Sequence, residues 1–245
     1  MNYIDESHPA IISPEDFEQV QLEMARRKKL GKQYSGNSLF AAKLVCADCG
    51  YFFGSKVWHS TSKYRRVIWQ CNNKFKAAQI CSTPHLYEDE IKQRFVNAFA
   101  IYFHSKDLII DACQELINTI SDTSAIDKKI EKLSQELSVI ENMNRELVIE
   151  LAQSEKPPED YDKRRDALTK EYDEKFGKFQ KLEQKRTDQL NRAEALQNMI
   201  QQLSETKSAI DTFDDSLWRT VVEKVTIFHD NRMIFQFLDG TEIEA

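Results

Sequence analysis

The sequence predicts an α+β protein in two parts. One is a small β-ribbon body with packed helices and a C-terminal β-hairpin; the other is a long antiparallel coiled-coil hairpin. Three observations carry this. Four of the six glycines (Gly31, Gly36, Gly50, Gly54) fall in the first 54 residues, and neither Gly nor Pro occurs between Pro84 and Pro157. Apolar residues repeat in heptads on both sides of a single Pro-Pro break. Four of the five cysteines, Cys46, Cys49, Cys71 and Cys81, cluster among strand-forming residues.

The first element is a helix. Ser13 can cap it, Pro14 fits the first turn, and Glu15 and Asp16 suit the positive end of the dipole. Phe17, Val20, Leu22 and Met24 would form its apolar face, and residues 31–38 read as a polar linker. Residues 44–70 have ribbon character: Val57, Trp58, Tyr64, Val67, Ile68 and Trp69 favour strands, turned at Thr61-Ser62-Lys63. A helix is predicted over residues 87–113, with Ile91, Phe95, Phe99 and Phe103 facing the ribbon.

The coil comes next. Ile126, Ile130, Leu133, Leu137, Ile140, Asn144, Leu147 and Leu151 alternate steps of four and three. Asn144 is the polar member that would fix register. Pro157 and Pro158 end this helix because neither can donate a backbone hydrogen bond. A second series follows: Tyr161, Leu168, Tyr172, Phe179, Leu182, Leu190, Ala193, Leu196, Ile200, Leu203 and Ile210. One short break between two such helices predicts that they fold back on each other. A first arm over residues 107–153 would then be ~70 Å long. The alternative is a straight dimeric coiled coil with a kink. The tail reads as a short helix (216–224) and a hairpin of 225–228 with 233–238, turned at His229-Asp230-Asn231-Arg232. That hairpin should return to the ribbon body.

The metal pattern is specific in its first half. Cys46-x2-Cys49 before Gly50 is a zinc knuckle, whose tight turn aims two thiolates at one ion. Cys71 and Cys81 would supply the second pair, at a looser spacing. Four thiolates leave no open position, so a single Zn²⁺ would be structural. His85 is a competing fourth ligand, and Cys113 reads as a buried small hydrophobe. Disulfides are not expected: no secretory signal opens the chain, no apolar run is long enough for a membrane span, and the expected compartment is the cytoplasm. No phosphate loop, HExxH or recognisable Ser/His/Asp set is present, so no catalytic residues are assigned.

Charge is divided along the chain, which has a net charge of −6. Between Met24 and His85 stand twelve basic residues and one acid, Asp48; from Leu86 onward there are 22 basic and 33 acidic residues. The first segment suits nucleic acid and the second a solvent- or protein-facing body. The bland reading is a solvated lysine-rich loop before acidic helices.

His8-Pro9-Ala10-Ile11-Ile12-Ser13 with Phe17 and Val20-Gln21, the knuckle Leu44 to Gly50, and Tyr64 with Trp69-Gln70-Cys71 and Cys81 occur in a telling order. They are followed by the coil and by Trp218, Val222, Val225-Thr226-Ile227, Ile234, Phe237 and Gly240. This order resembles the C-terminal region of large serine recombinases, which include phage integrases and transposon resolvases. The resemblance implies residues 1–38 as the end of a recombinase domain with a basic linker, and 39–120 as the zinc ribbon with its following helix. Residues 121–212 would be the coiled-coil arm, with a tip near 153–161, and 213–245 the returning helix and hairpin. The family's catalytic serine domain is not in this sequence, so the chain is expected to be a non-catalytic piece.

The resemblance further implies a double-stranded DNA attachment site as partner. Arg26, Arg27, Lys28, Lys29 and Lys32 would follow phosphates or a minor groove. Lys56, His59, Lys63, Tyr64, Arg65 and Arg66, supported by Lys74 and Lys76, would contact phosphates or bases. Arms from different subunits would pair through an exposed apolar tip at Leu147, Leu151, Pro157, Pro158 and Tyr161. A directionality factor is a further partner that the family suggests. The rival readings are a zinc-pinned coiled-coil assembly protein without DNA binding, and an enzyme with an unrecognised site in the basic region.

Overall fold

The computed structural model describes residues 12, 14–30, 38–75, 81–154 and 160–245. Ser13, Lys32, Lys76, Pro157 and Pro158 lie outside the described residues, as does the side chain of Lys29. The chain divides into two units, residues 1–115 with 194–245 and residues 116–193.

In the first unit, α1 (Pro14–Leu30) precedes two small sheets. The ribbon sheet is antiparallel: β2 (Phe53–Trp58), β3 (Arg66–Cys71) and β4 (Leu86–Tyr87). The second sheet has the order β1-β5-β6-β7. Here β1 (Leu44–Cys46) pairs in parallel with β5 (Val222–Ile227), which turns into β6 (Met233–Phe237) and then β7 (Glu242–Glu244). The returning hairpin is thus stitched to the strand that carries Cys46. Asn231, at φ 70°, takes the left-handed position of the β5–β6 turn, which Asn tolerates better than most residues. The predicted tail helix is shorter, α6 (Asp215–Val221): it is capped by Asp214, which accepts from the Leu217 N–H, and it yields to strand at Val222.

An aromatic cluster fills the space between these pieces. Trp218 lies 4.8 Å from Phe40 and 5.2 Å from Phe95, with Phe213 and Phe235 completing the shell. Phe95 belongs to α2 (Glu88–Phe103), which therefore packs on the C-terminal hairpin as well as on the ribbon. Tyr102 stacks on Phe237 at 3.8 Å and its hydroxyl donates to Asp239, while burial pushes its pKa up.

The single helix predicted over 87–113 is two helices. α2 stops at Phe103 and α3 (Lys106–Ile120) begins after His104-Ser105. Without Gly or Pro, the break rests on Ser105, a residue type that favours helix starts and whose carbonyl accepts from Ile109. A second break separates α3 from α4 (Ser124–Gln153). There Asp122 accepts from the Ser124 N–H and Thr123 donates to Asp127. The first coil helix is therefore 30 residues, or ~45 Å, rather than the ~70 Å expected.

In the second unit, α4 and the leading part of α5 (Tyr161–Glu205) run antiparallel. Glu150 pairs with Arg164, Glu141 accepts from Tyr172, Glu136 pairs with Lys175, and Asp127 with Arg186. As one partner's position falls, the other's rises. A straight kinked coil would not make these pairs within one chain. All eight positions of the first heptad series are sheltered, with Leu137, Ile140 and Leu147 fully buried. In the second series Leu190 departs, being 42% exposed.

Candidate metal centre and the basic face beside it

The four cysteine sulfurs lie within 4.8 Å of one another. Cys46 and Cys81 approach to 3.5 Å, Cys49 and Cys71 to 3.3 Å. Each comes from a different local device. Cys46 ends β1, and Cys49 follows on a tight turn closed by the Gly50 N–H on the Cys46 carbonyl, with Gly50 at φ 71°. Such a φ suits glycine. Cys71 ends β3, and its sulfur accepts from the Asn73 N–H at 3.4 Å. Cys81 enters on the loop before β4. Zinc–sulfur bonds of about 2.3 Å in a tetrahedron space sulfurs by about 3.8 Å, so this donor set fits Zn²⁺. Cys46, Cys71 and Cys81 are buried and Cys49 half-buried. Burial pushes the Cys46 and Cys71 thiols up. Burial would raise Cys81 too, but the hydroxyl and N–H of Thr83 hold it down, at about 7.

His85 is not among these sulfurs. Its ring packs between Trp58 at 4.6 Å and Tyr87 at 5.4 Å. Cys113 is buried elsewhere in the first unit.

The basic candidates fall into two groups. Lys56, His59, Lys63, Tyr64, Arg65 and Arg66 are exposed on β2, β3 and the turn between them. Strand register sets Trp58 opposite Arg66 and Ile68 opposite Tyr87, so Lys56, Trp58, Arg66 and Tyr87 share one face. The Arg66 guanidinium sits over the Tyr87 ring, and the Lys63 ammonium over Tyr64. Trp58, His85 and Tyr87 were not singled out as part of this face from the sequence; only the register brings them to Arg66. Lys28 is exposed on α1.

Three other candidates are otherwise engaged. Arg26 and Arg27 both pair with Glu23 within α1, and Arg26 also donates to the Ala42 carbonyl at 2.9 Å, so Arg26 ties α1 to the segment before β1. Burial alone would raise the Glu23 pKa, but Arg26, Lys43 and Arg27 hold it at about 2. Lys74 donates to the Thr83 carbonyl beside the cysteines.

Two residues escaped sequence reasoning. Lys43, 4% exposed, donates to the carbonyls of Trp218, Arg219 and Val222 and so closes the end of α6. Burial and the nearby Arg26 push its pKa down to about 7. Its place in the apolar run Ala41-Ala42-Lys43-Leu44-Val45 was the available signal. Thr83 is the other, fully buried against Cys46 and Cys81.

At the expected tip, Leu147 is 2% exposed and faces the seam, not solvent. Leu151 and Tyr161 are half-buried. The exposed apolar residues there are Val148 at 57% and Ile149 at 48%.

Residues 39–100 match the recombinase zinc beta ribbon domain family. This span holds all four cysteines, β1 to β4 and most of α2. This part of the chain is thus similar to a recombinase zinc ribbon, as the order of motifs in the sequence suggests. A solved structure described as "Crystal Structure of a LSR-DNA Complex" aligns over 94% of this chain and 67% of its own, at 16% identity and a TM-score of 0.33. That likeness is too distant to place any residue. No curated protein matches the chain. Among the described residues no helix is long and apolar enough to cross a membrane.

Proposed function

We propose that this chain is the DNA-binding and synapsis-regulating C-terminal part of a site-specific serine recombinase. One structural Zn²⁺, held by Cys46, Cys49, Cys71 and Cys81, would keep the ribbon rigid; as a closed four-sulfur site it would supply folding energy rather than chemistry. The observation that carries the reading is the exposed face of Lys56, Trp58, Arg66 and Tyr87 on a ribbon whose cysteines converge.

On double-stranded DNA, Lys56, Lys63 and Arg65 would neutralise phosphates, while Arg66, whose guanidinium rests over the Tyr87 ring, would read a guanine edge. Tyr64 and His59 would contact the backbone from the turn. Lys28 and Arg27 would extend the basic surface; Arg26 and Lys74 act by holding the body together. The helical hairpin would meet the hairpin of another subunit through Val148 and Ile149, with the half-buried Leu151 and Tyr161 near the same end. A directionality factor would compete for the same apolar end.

Anisotropy with labelled duplex DNA across a salt series tests this. The affinity should fall steeply with salt, and Lys56→Ala should reduce the logarithmic slope by about 1. Absence of binding at low salt would favour a zinc-pinned assembly protein. Charge substitutions Val148→Glu with Ile149→Lys should weaken chain–chain association in sedimentation while leaving DNA affinity unchanged; equal loss of both contradicts the division of labour.

A further inference from the structure

Among the twelve basic residues between Met24 and His85 stands one acid, Asp48, inside the first knuckle. A carboxylate beside four cysteine sulfurs is electrostatically unfavourable once they carry a metal, because it adds negative charge to a negative site. Yet Asp48, although exposed, is tied to the site. Thr83 Oγ1 donates to Asp48 Oδ2 at 3.1 Å. The same hydroxyl lies 3.0 Å from Cys46 Sγ and 3.2 Å from Cys81 Sγ. Asp48 Oδ1 is 3.8 Å from His229 Nδ1, on the β5–β6 turn, and Lys74 braces the Thr83 carbonyl.

A threonine hydroxyl has one proton to give. Sulfurs that ligate a metal are acceptors only, and so is an ionised carboxylate. One proton therefore faces three acceptors. We propose that Thr83 and Asp48 are positioning residues that set the metal affinity of the ribbon in opposite directions. Turned toward Cys46 or Cys81, the Thr83 hydroxyl stabilises the charge on one of these sulfurs at a time. Asp48 competes for its proton and repels the same charge. Asp48 thereby tunes the site toward exchange, and a knuckle without the acid would hold its ion more tightly.

The inference rests on the metal-centre reading, and the test separates the two. Zinc affinity of the full 245-residue chain is measured by competition with a chromophoric chelator, for the wild type, Thr83→Val, Thr83→Ser and Asp48→Asn. Cobalt titration reports the sulfur charge-transfer bands in parallel. Thr83→Val should weaken binding by about tenfold or more, as loss of a partner to a ligand does. Thr83→Ser should stay near the wild type, and Asp48→Asn should bind several-fold more tightly. A structural role for the Thr83–Asp48 hydrogen bond alone would make Thr83→Val and Asp48→Asn both weaker, and that result overturns the proposal. So does an unchanged Thr83→Val. If Thr83→Val fails to fold, Asp48→Asn decides: tighter binding supports the proposal, equal or weaker binding overturns it. A wild type that binds no zinc would sink the metal centre itself.

Discussion

The cysteine-centred unit and the helical hairpin unit are stabilised by different physics. In the first, the contacts are long-range: β1 pairs with a strand 181 positions later at Leu44 and Val225, and Trp218 is clasped by residues from both ends of the chain. In the second, one apolar seam holds two helices, and the ion pairs along it are mostly exposed and worth little each. A body whose parts are scattered along the chain depends on every closing element. A hairpin with a repeating seam loses stability piecemeal.

The sharpest way to break this comparison is to remove the metal. All three tryptophans, Trp58, Trp69 and Trp218, belong to the first unit, so fluorescence reports on it alone. Chelation, or Cys71→Ser, should shift tryptophan emission to that of exposed indole while about half of the helical circular dichroism, that of the second unit, remains. Simultaneous loss of both signals would show that the units do not differ as described. Truncation comes next. Trp218→Ala should cost about 3–5 kcal/mol, and Ile140→Ala, at the solvent-edged seam, about 2 kcal/mol, in denaturant unfolding followed by fluorescence and by circular dichroism.

Smaller effects sharpen the contrast. Asn144→Leu should stabilise the hairpin by about 1 kcal/mol and loosen its choice of register, visible as mixed oligomers in sedimentation. Glu23→Gln tests the α1 anchor. Because the folded pKa of Glu23 is depressed, its contribution is present above the ordinary carboxylate value and lost as pH falls through about 2. With solvent reaching the pair, the wild type should exceed Glu23→Gln by about 1 kcal/mol at pH 7. That gap should close between about pH 4.5 and 2 in paired melting curves.

The same difference explains what the sequence could reveal. The seam from Ile126 to Leu151 was legible because helical periodicity is local, and the knuckle because Cys46-x2-Cys49-Gly50 is a compact chemical pattern. Cys71 and Cys81 followed from chemistry rather than spacing. The Ser121-Asp122-Thr123-Ser124 run that divides α3 from α4 was a readable capping signal, masked by the continuous apolar pattern around it. The parallel β1–β5 pair was not legible, since nothing in Leu44 to Cys46 names its distant partner. Lys43, Thr83 and the Trp58–His85–Tyr87 row owe their roles to that closure and to strand register. Position along the chain puts Leu147 near the tip, but its heptad position assigns it to the seam, where it is buried.

In the proposed function, a metal-pinned ribbon presents the DNA-binding face. Titrating zinc into metal-depleted chain while recording duplex DNA anisotropy at fixed salt tests it most directly. DNA binding should rise with zinc and saturate at one ion per chain. Equal binding by the metal-free chain, or saturation without any bound zinc, would contradict it.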